Sequence, residues 1–206
     1  MMAVPRADGP ALDGDERGKM AILKVAHLGN PILRQRAKTL SEEAIRSAEI
    51  QRLIDDMAET LYEYGGVGLA APQVHRGVRL FLIEGPGEGE ERVPLTVFIN
   101  PVIVEASKEM EEDWEGCLSI PDLRGRVARH RRIRIAFTER NGERRTLEAT
   151  GFAARVLQHE YDHLDGIVFL DRMRGLETLT FLKEFTRYWV EPLRETEPSD
   201  ETDGNT

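Results

Sequence analysis

The stretch Arg132–Ala149, RIRIAFTERNGERRTLEA, decides the fold class. Arg132 and Arg134 alternate with Ile133, Ile135 and Phe137, the period of two expected of a half-exposed strand. Asn141-Gly142 then signals a tight hairpin turn, and Arg144 to Ala149 returns as the partner strand. Upstream, Val78–Ile83 and Leu95–Ile99 are short apolar runs bounded by Gly, Pro or Asn, and they too read as strands. These strands form a block between helical segments and do not alternate with helices. That order predicts an α+β fold with mixed or antiparallel sheets and argues against a doubly wound parallel sheet.

Three helices are expected around the block. Ser41 with Glu42 and Glu43 is a helix start, because acids favour the positive end of the dipole. Ile45, Ile50, Leu53, Ile54, Met57 and Leu61 follow at helical spacing until Gly65-Gly66 stop the run. A second helix is expected from Phe152 to Leu164, ending at Gly166. A third is expected from Leu176 to Val190, with Leu179, Leu182, Phe185 and Trp189 on one stripe. One folded domain is therefore expected over residues 20–190. A flexible tail, residues 1–19, and an acidic disordered tail, residues 191–206, are expected to flank it.

In a chain of 206 residues, 40% hydrophobic content supplies one real core and excludes wholesale disorder. No apolar run approaches the about 20 residues of a spanning helix, so no membrane partner is expected. Met1–Lys19 holds Asp8, Asp13, Asp15 and Glu16 and lacks the apolar stretch of a secretory signal, which predicts a cytoplasmic location. The net charge of −9 is uneven: residues 191–206 carry −5 and residues 124–145 carry +7. Such a molecule does not coat nucleic acid, and no specific DNA partner is expected, but one basic face could meet an anionic partner. The single cysteine, Cys117, has no internal disulfide partner, which fits a reducing compartment. A lone cysteine is ordinarily a small buried hydrophobe.

The chemistry concentrates in three segments. In His159-Glu160-Tyr161-Asp162-His163 the histidines are four apart, so on a helix both imidazoles face one point and can hold one divalent cation. Glu160 lies about 100° round the helix, placed to exchange a proton with an attacking water without being a ligand. The third ligand is open. A histidine six residues after His163 would extend the motif, but Phe169 stands there; Glu177 or Glu184 could serve from a later helix, and Cys117 competes with them. Cys117 lies within Glu115-Gly116-Cys117-Leu118-Ser119, where Gly116 permits close backbone approach and a soft thiolate suits a first-row ion. The third segment, Gly66-Val67-Gly68-Leu69-Ala70-Ala71-Pro72-Gln73, is a loop of small residues ending in an amide that can donate to an oxyanion.

Together, and in this order along the chain, the three segments resemble the motifs of the peptide deformylase family, and the likeness spans roughly Ala21 to Arg172. The resemblance implies sheets packed around a central metal-binding helix, with a C-terminal helix. It implies that Cys117, His159 and His163 hold one divalent metal ion, Fe²⁺ natively, with Zn²⁺, Ni²⁺ or Co²⁺ as substitutes. The implied reaction removes the N-formyl group from formylmethionine at the start of nascent peptides and releases formate. Gln73 and the backbone N–H of Leu118 then stabilise the oxyanion, and Glu160 moves the proton. Val67, Gly68, Gly116, Phe152 and Val156 are expected to line the substrate pocket. Arg155 is a departure at a position where the family often has an apolar residue. It is expected either to snorkel to water while its stem packs, or to bias the pocket. Asp162 is expected to orient an imidazole, cap local backbone or stand as a solvated acid, and Arg124 either to join the exposed arginine face of a hairpin or to meet the substrate backbone. The substrate class implies a bacterial cytosol and transient ribosome contact through Lys183, Arg187 or the arginine hairpin. The competing reading is a zinc metallopeptidase of the His-Glu-x-x-His type.

Overall fold

A computed structural model describes residues 21–85 and 93–190. The expected tails, 1–19 and 191–206, lie outside the described residues. Five antiparallel strands form one sheet in the order β1 (Gly68–Ala70), β2 (Leu80–Ile83), β3 (Thr96–Ala106), β6 (Arg132–Thr138) and β7 (Arg144–Thr150). A second sheet joins β4 (Met110–Cys117), β5 (Ile120–His130) and the two-residue β8 (Thr180–Phe181). Helix α1 (Glu42–Arg46) and helix α2 (Ala48–Glu63) precede the sheets, α3 (Gly151–Leu164) follows β7, and α4 (Leu182–Phe185) continues into a π-helical turn, Thr186–Val190. The α+β class holds, and the long strands all pair antiparallel.

Strict alternation in β2 explains the layering. Leu80 and Leu82 pack with Leu53, Ile54, Met57 and Leu61 of α2. Phe81 and Ile83 point the other way, into a core shared with Phe98, Ile135 and Phe137 and with Ala154 and Leu157 of α3. The five-stranded sheet is thus covered by α2 on one face and α3 on the other. The second sheet closes over the far side of α3, where Val127, Val168 and Phe169 pack beside Cys117. Phe98 stacks between Phe81, with ring centroids 4.9 Å apart, and Phe137, at 4.2 Å. Truncation of Phe98 to Ala is therefore expected to cost about 3–5 kcal/mol, read as a lower midpoint in urea unfolding.

The hairpin β6–β7 forms as its alternation predicts, from Arg132 paired with Thr150 to Thr138 paired with Arg144. Its connection spans five residues, 139–143, drawn in by the Glu139 N–H donating to the Glu143 carbonyl at 2.8 Å, and only Gly142 takes a positive φ, +90°. The first expected helix is two. The Ser47 hydroxyl donates to the Ala44 carbonyl and accepts from the Ile50 N–H, with its backbone extended at ψ 147°, so it ends α1 and caps α2. The third expected helix, Leu176–Val190, begins only at Leu182, because β8 pairs with Leu123 and Arg124 of β5 and extends the chain there. The Leu95–Ile99 strand runs on to Ala106 through irregular pairing with β6. The arginines of residues 124–145 do not make an open basic face. Arg132 meets Glu148 at 3.2 Å, Arg134 meets Glu105 at 3.0 Å and Arg140 meets Asp55 at 3.0 Å.

Candidate active site

Helix α3 sets the geometry of the site. His159 and His163 lie one turn apart on the face turned to the β4–β5 hairpin, with their rings edge to face at 5.0 Å. Cys117 ends β4, where a register shift between Glu115 and Cys117 turns the strand. Its Sγ lies 3.3 Å from Nε2 of His163, and one ligand atom from each of Cys117, His159 and His163 falls within 4.8 Å of the others. Glu177 and Glu184, the other candidate ligands, are exposed and stand outside this group.

The donor set fits a divalent cation. Nδ1 of His159 is engaged by Oε2 of Glu115 at 2.8 Å, which leaves Nε2 for the ion and fixes the ring. All three side chains are buried, and a soft cysteine sulfur facing two imidazoles suits a first-row metal. A catalytic site of this kind has three protein ligands and keeps one position open.

Behind the triad lies a charged network that the sequence reading did not assign. Glu115, with 0% exposure, takes both arms of Arg129, at 2.8 and 2.9 Å. Arg129 also donates to Asp162 at 2.6 Å, and Arg172 donates to both Asp162 oxygens. Burial alone would raise the Glu115 carboxyl, but hydrogen bonds from Arg129 and His159 outweigh it and hold the group well below the ordinary carboxylate range. Asp162 therefore anchors arginines and does not orient an imidazole; Glu115 does that. A charge read from sequence carries no address: the β4–β5 register sets Arg129 opposite Glu111 and Glu115 opposite Gly125, and the long Arg129 side chain reaches along the hairpin to Glu115.

Glu160 faces the other side, into a cavity of about 280 Å³ that opens beside Cys117. Burial pushes its carboxyl up to about 7, and its Oε2 has no hydrogen-bond partner. Gly68 of β1 runs directly over it. A Cβ built on Gly68 would come within 2.7 Å of the Glu160 Cδ, so this close approach requires glycine. Gln73 sits in a 3₁₀ turn, Ala71–Val74, after β1. Its Oε1 accepts from the Ala70 N–H at 2.8 Å, which aims Nε2 at the Ser119 hydroxyl, 3.1 Å away, and at Cys117 Sγ, 3.4 Å away. The amide is thus presented to the cavity with its orientation set.

Val67, Gly68, Gln73, Gly116, Leu118 and Glu160 all line the cavity, as do Arg124 and, unforeseen from the sequence, Tyr64 and Leu182. Three expected lining residues do not. Phe152 stands two turns before His159, about 10 Å up the helix, and is 43% exposed. Val156 points into the core between α3 and the five-stranded sheet. Arg155 shares a helix face with His159, which lines the cavity, but one turn earlier that face meets the carbonyls of the hairpin. Its guanidinium neither snorkels nor enters the pocket: the residue is 5% exposed and is bonded to Glu115 and to carbonyls of the hairpin.

Comparison with known proteins places this geometry. The family model described as polypeptide deformylase matches residues 22–178. Peptide deformylase 2 of Nostoc sp. is 45% identical over 164 residues, covering 77% of this chain and 90% of that protein. The peptide deformylase of Agrobacterium fabrum is 41% identical, covering 82% and 96%. Among solved structures, the Met-Ala-Ser-bound class I type b peptide deformylase from Acinetobacter baumannii superposes with a TM-score of 0.71 at 37% identity, covering 75% of this chain and 100% of that one. The Thermotoga maritima peptide deformylase gives 0.68 at 38%, covering 75% and 99%. These relatives overturn the metallopeptidase reading. The chain belongs to the peptide deformylase family.

Proposed function

We propose that Cys117, His159 and His163 hold one divalent cation, and that Glu160, Gln73 and the backbone N–H of Leu118 act beside it on a formyl amide. As a peptide deformylase, the enzyme removes the N-formyl group from the N-terminal formylmethionine of new chains: water adds to the formyl carbon, the C–N bond breaks, and formate and a free amine leave. The cation, Fe²⁺ natively with Zn²⁺, Ni²⁺ or Co²⁺ as substitutes, supplies when bound a Lewis acid that polarises the carbonyl and makes water nucleophilic near neutral pH.

The protein groups divide the remaining work. Glu160, raised towards neutrality by burial, takes a proton from the attacking water and passes it to the departing nitrogen. Gln73 Nε2 and the Leu118 N–H donate to the oxygen that becomes negative. The Gln73 amide is oriented before substrate arrives by the Ala70 N–H on its Oε1, and an N–H now spent on Ser119 or Cys117 turns to the oxyanion. Val67, Gly68, Gly116 and Leu118 provide the apolar, close-fitting wall for the methionyl end. The observation that carries this reading is the meeting, at one cavity lined by Cys117 and His159 of the triad, of a buried carboxyl whose Oε2 has no hydrogen-bond partner and a pre-aimed amide.

Formate release from a formyl-Met tripeptide, measured beside cleavage of the same peptide without its formyl group, tests the assignment; peptide-bond cleavage with no formate would sink it. Replacing Gln73 by Ala is expected to lower kcat by about 10²–10³-fold with the cation retained, read by steady-state kinetics beside metal content. No helix among the described residues is long and apolar enough to cross a membrane. A bacterial cytosolic setting and transient ribosome contact through Lys183 and Arg187 complete the reading. Salt-dependent co-sedimentation with ribosomes tests the contact, and failure to pellet at low salt would end it.

A further inference from the structure

We propose that Arg155 is a positioning residue that preorganises the metal triad, by tying the helix that carries both histidines to the hairpin that carries Cys117. This rests on the reading of Cys117, His159 and His163 as one metal site. The guanidinium reaches four acceptors. Nη1 donates to Glu115 Oε1 at 3.0 Å, to the Val127 carbonyl at 2.7 Å and to the Asp113 carbonyl at 3.4 Å, while Nη2 donates to the Glu111 carbonyl at 2.7 Å. These acceptors come from both strands of the β4–β5 hairpin.

The two histidines are held relative to each other by one turn of α3. Cys117 is on a different element, so the distance from sulfur to imidazole is set by how α3 sits on the hairpin. Arg155 spans that junction one turn from His159. It also shares Oε1 of Glu115 with Arg129 Nε, which leaves Oε2 to Arg129 Nη2 and to Nδ1 of His159. Only a planar fork with several donors can meet this set of acceptors at once, which a lysine ammonium on a single stem cannot do. Loss of an outer partner of this kind ordinarily weakens metal binding by about 10–100-fold.

The test compares Arg155→Met with Arg79→Met. Arg79 is also buried, but it donates to Asp165 and to the Leu164 carbonyl at the other end of α3 and lies over the Tyr161 ring, with no hydrogen bond to the hairpin or the triad among the described residues. Zn²⁺ affinity is measured by competition with a chromophoric chelator, at a temperature where circular dichroism shows each protein folded. Arg155→Met is expected to bind Zn²⁺ about 10–100-fold more weakly than native, and Arg79→Met to stay within about threefold. Equal affinities for Arg155→Met and native overturn the proposal, as does an equal weakening in both variants, which marks general loss of stability. Should Arg155→Met fail to fold, Arg155→Lys keeps the charge and is expected to show a smaller loss; native affinity in that variant overturns the proposal. A native protein that binds no Zn²⁺ overturns the metal reading together with this one, whereas equal affinities overturn this one alone.

Discussion

Replacing Glu160 by Gln is expected to lower kcat by about 10²–10⁴-fold, some 3–5 kcal/mol of barrier, while the cation stays bound. The carboxylate is one residue from His159 but points to the cavity, and its atoms are not among the three converging ligand groups. The amide of glutamine fills the same volume, so packing against Gly68 is kept and only the proton relay is lost. Gly68→Ala is a companion test from the opposite side. Its new Cβ would press on the Glu160 carboxyl and displace it, so activity should fall without any change in the acid itself. Formate release and metal content, measured on the same samples, check both. A Glu160→Gln protein with more than about a tenth of native turnover would remove the residue from the proton path.

The second large effect concerns stability. Glu115→Gln is expected to cost about 3–5 kcal/mol, a sizeable part of the roughly 5–15 kcal/mol that holds a domain folded. Glu115 is the common acceptor for Arg129, Arg155 and His159, all buried. A neutral amide leaves two buried guanidinium groups underpaired, and turns a donor towards donors. The pH dependence follows from the same group. Its folded carboxyl titrates below the ordinary range, so its stabilisation is fully present above the unfolded value and fades as the pH falls below it. Native protein should therefore lose stability in acid more steeply than Glu115→Gln. Urea unfolding at neutral pH and in mild acid, with the cation stripped and restored, measures both effects. Parallel pH profiles for the two proteins would mean that Glu115 is not the titrating anchor.

Local pattern carried the elements whose chemistry is local. The alternation in β6 was legible because one face is buried and the other wet, whereas β7, exposed at all but Ala149, was legible from the Asn141-Gly142 turn that precedes it. Helix α3 was legible as the segment Phe152–Leu164 stopped by Gly166. Strands β4 and β5 were not: Met110–Cys117 is rich in acids, and Ile120–His130 contains Pro121 and Gly125. Their strand character comes from pairing with each other, a tertiary preference that residue propensities do not record. The break at Ser47 was missed for a related reason, since one hydroxyl outweighed an uninterrupted apolar period.

The site divides along the same line. By itself, the sequence determined the histidine pair, the neighbouring acid and the glycine-rich loop, because helical spacing places i and i+4 side by side and close approach demands glycine. Through its resemblance it also pointed to Cys117 as the third ligand. Only the tertiary structure decided which charges stand behind those ligands. Glu115, Arg129, Arg155 and Asp162 come from two strands and a helix, and their pairing depends on the register of β4 against β5 and on which face of α3 meets that hairpin. Arg155 shows the difference most plainly: its spacing placed it correctly on the face of His159, but what that face meets is fixed by packing, and the packing turned an expected pocket residue into an internal tie.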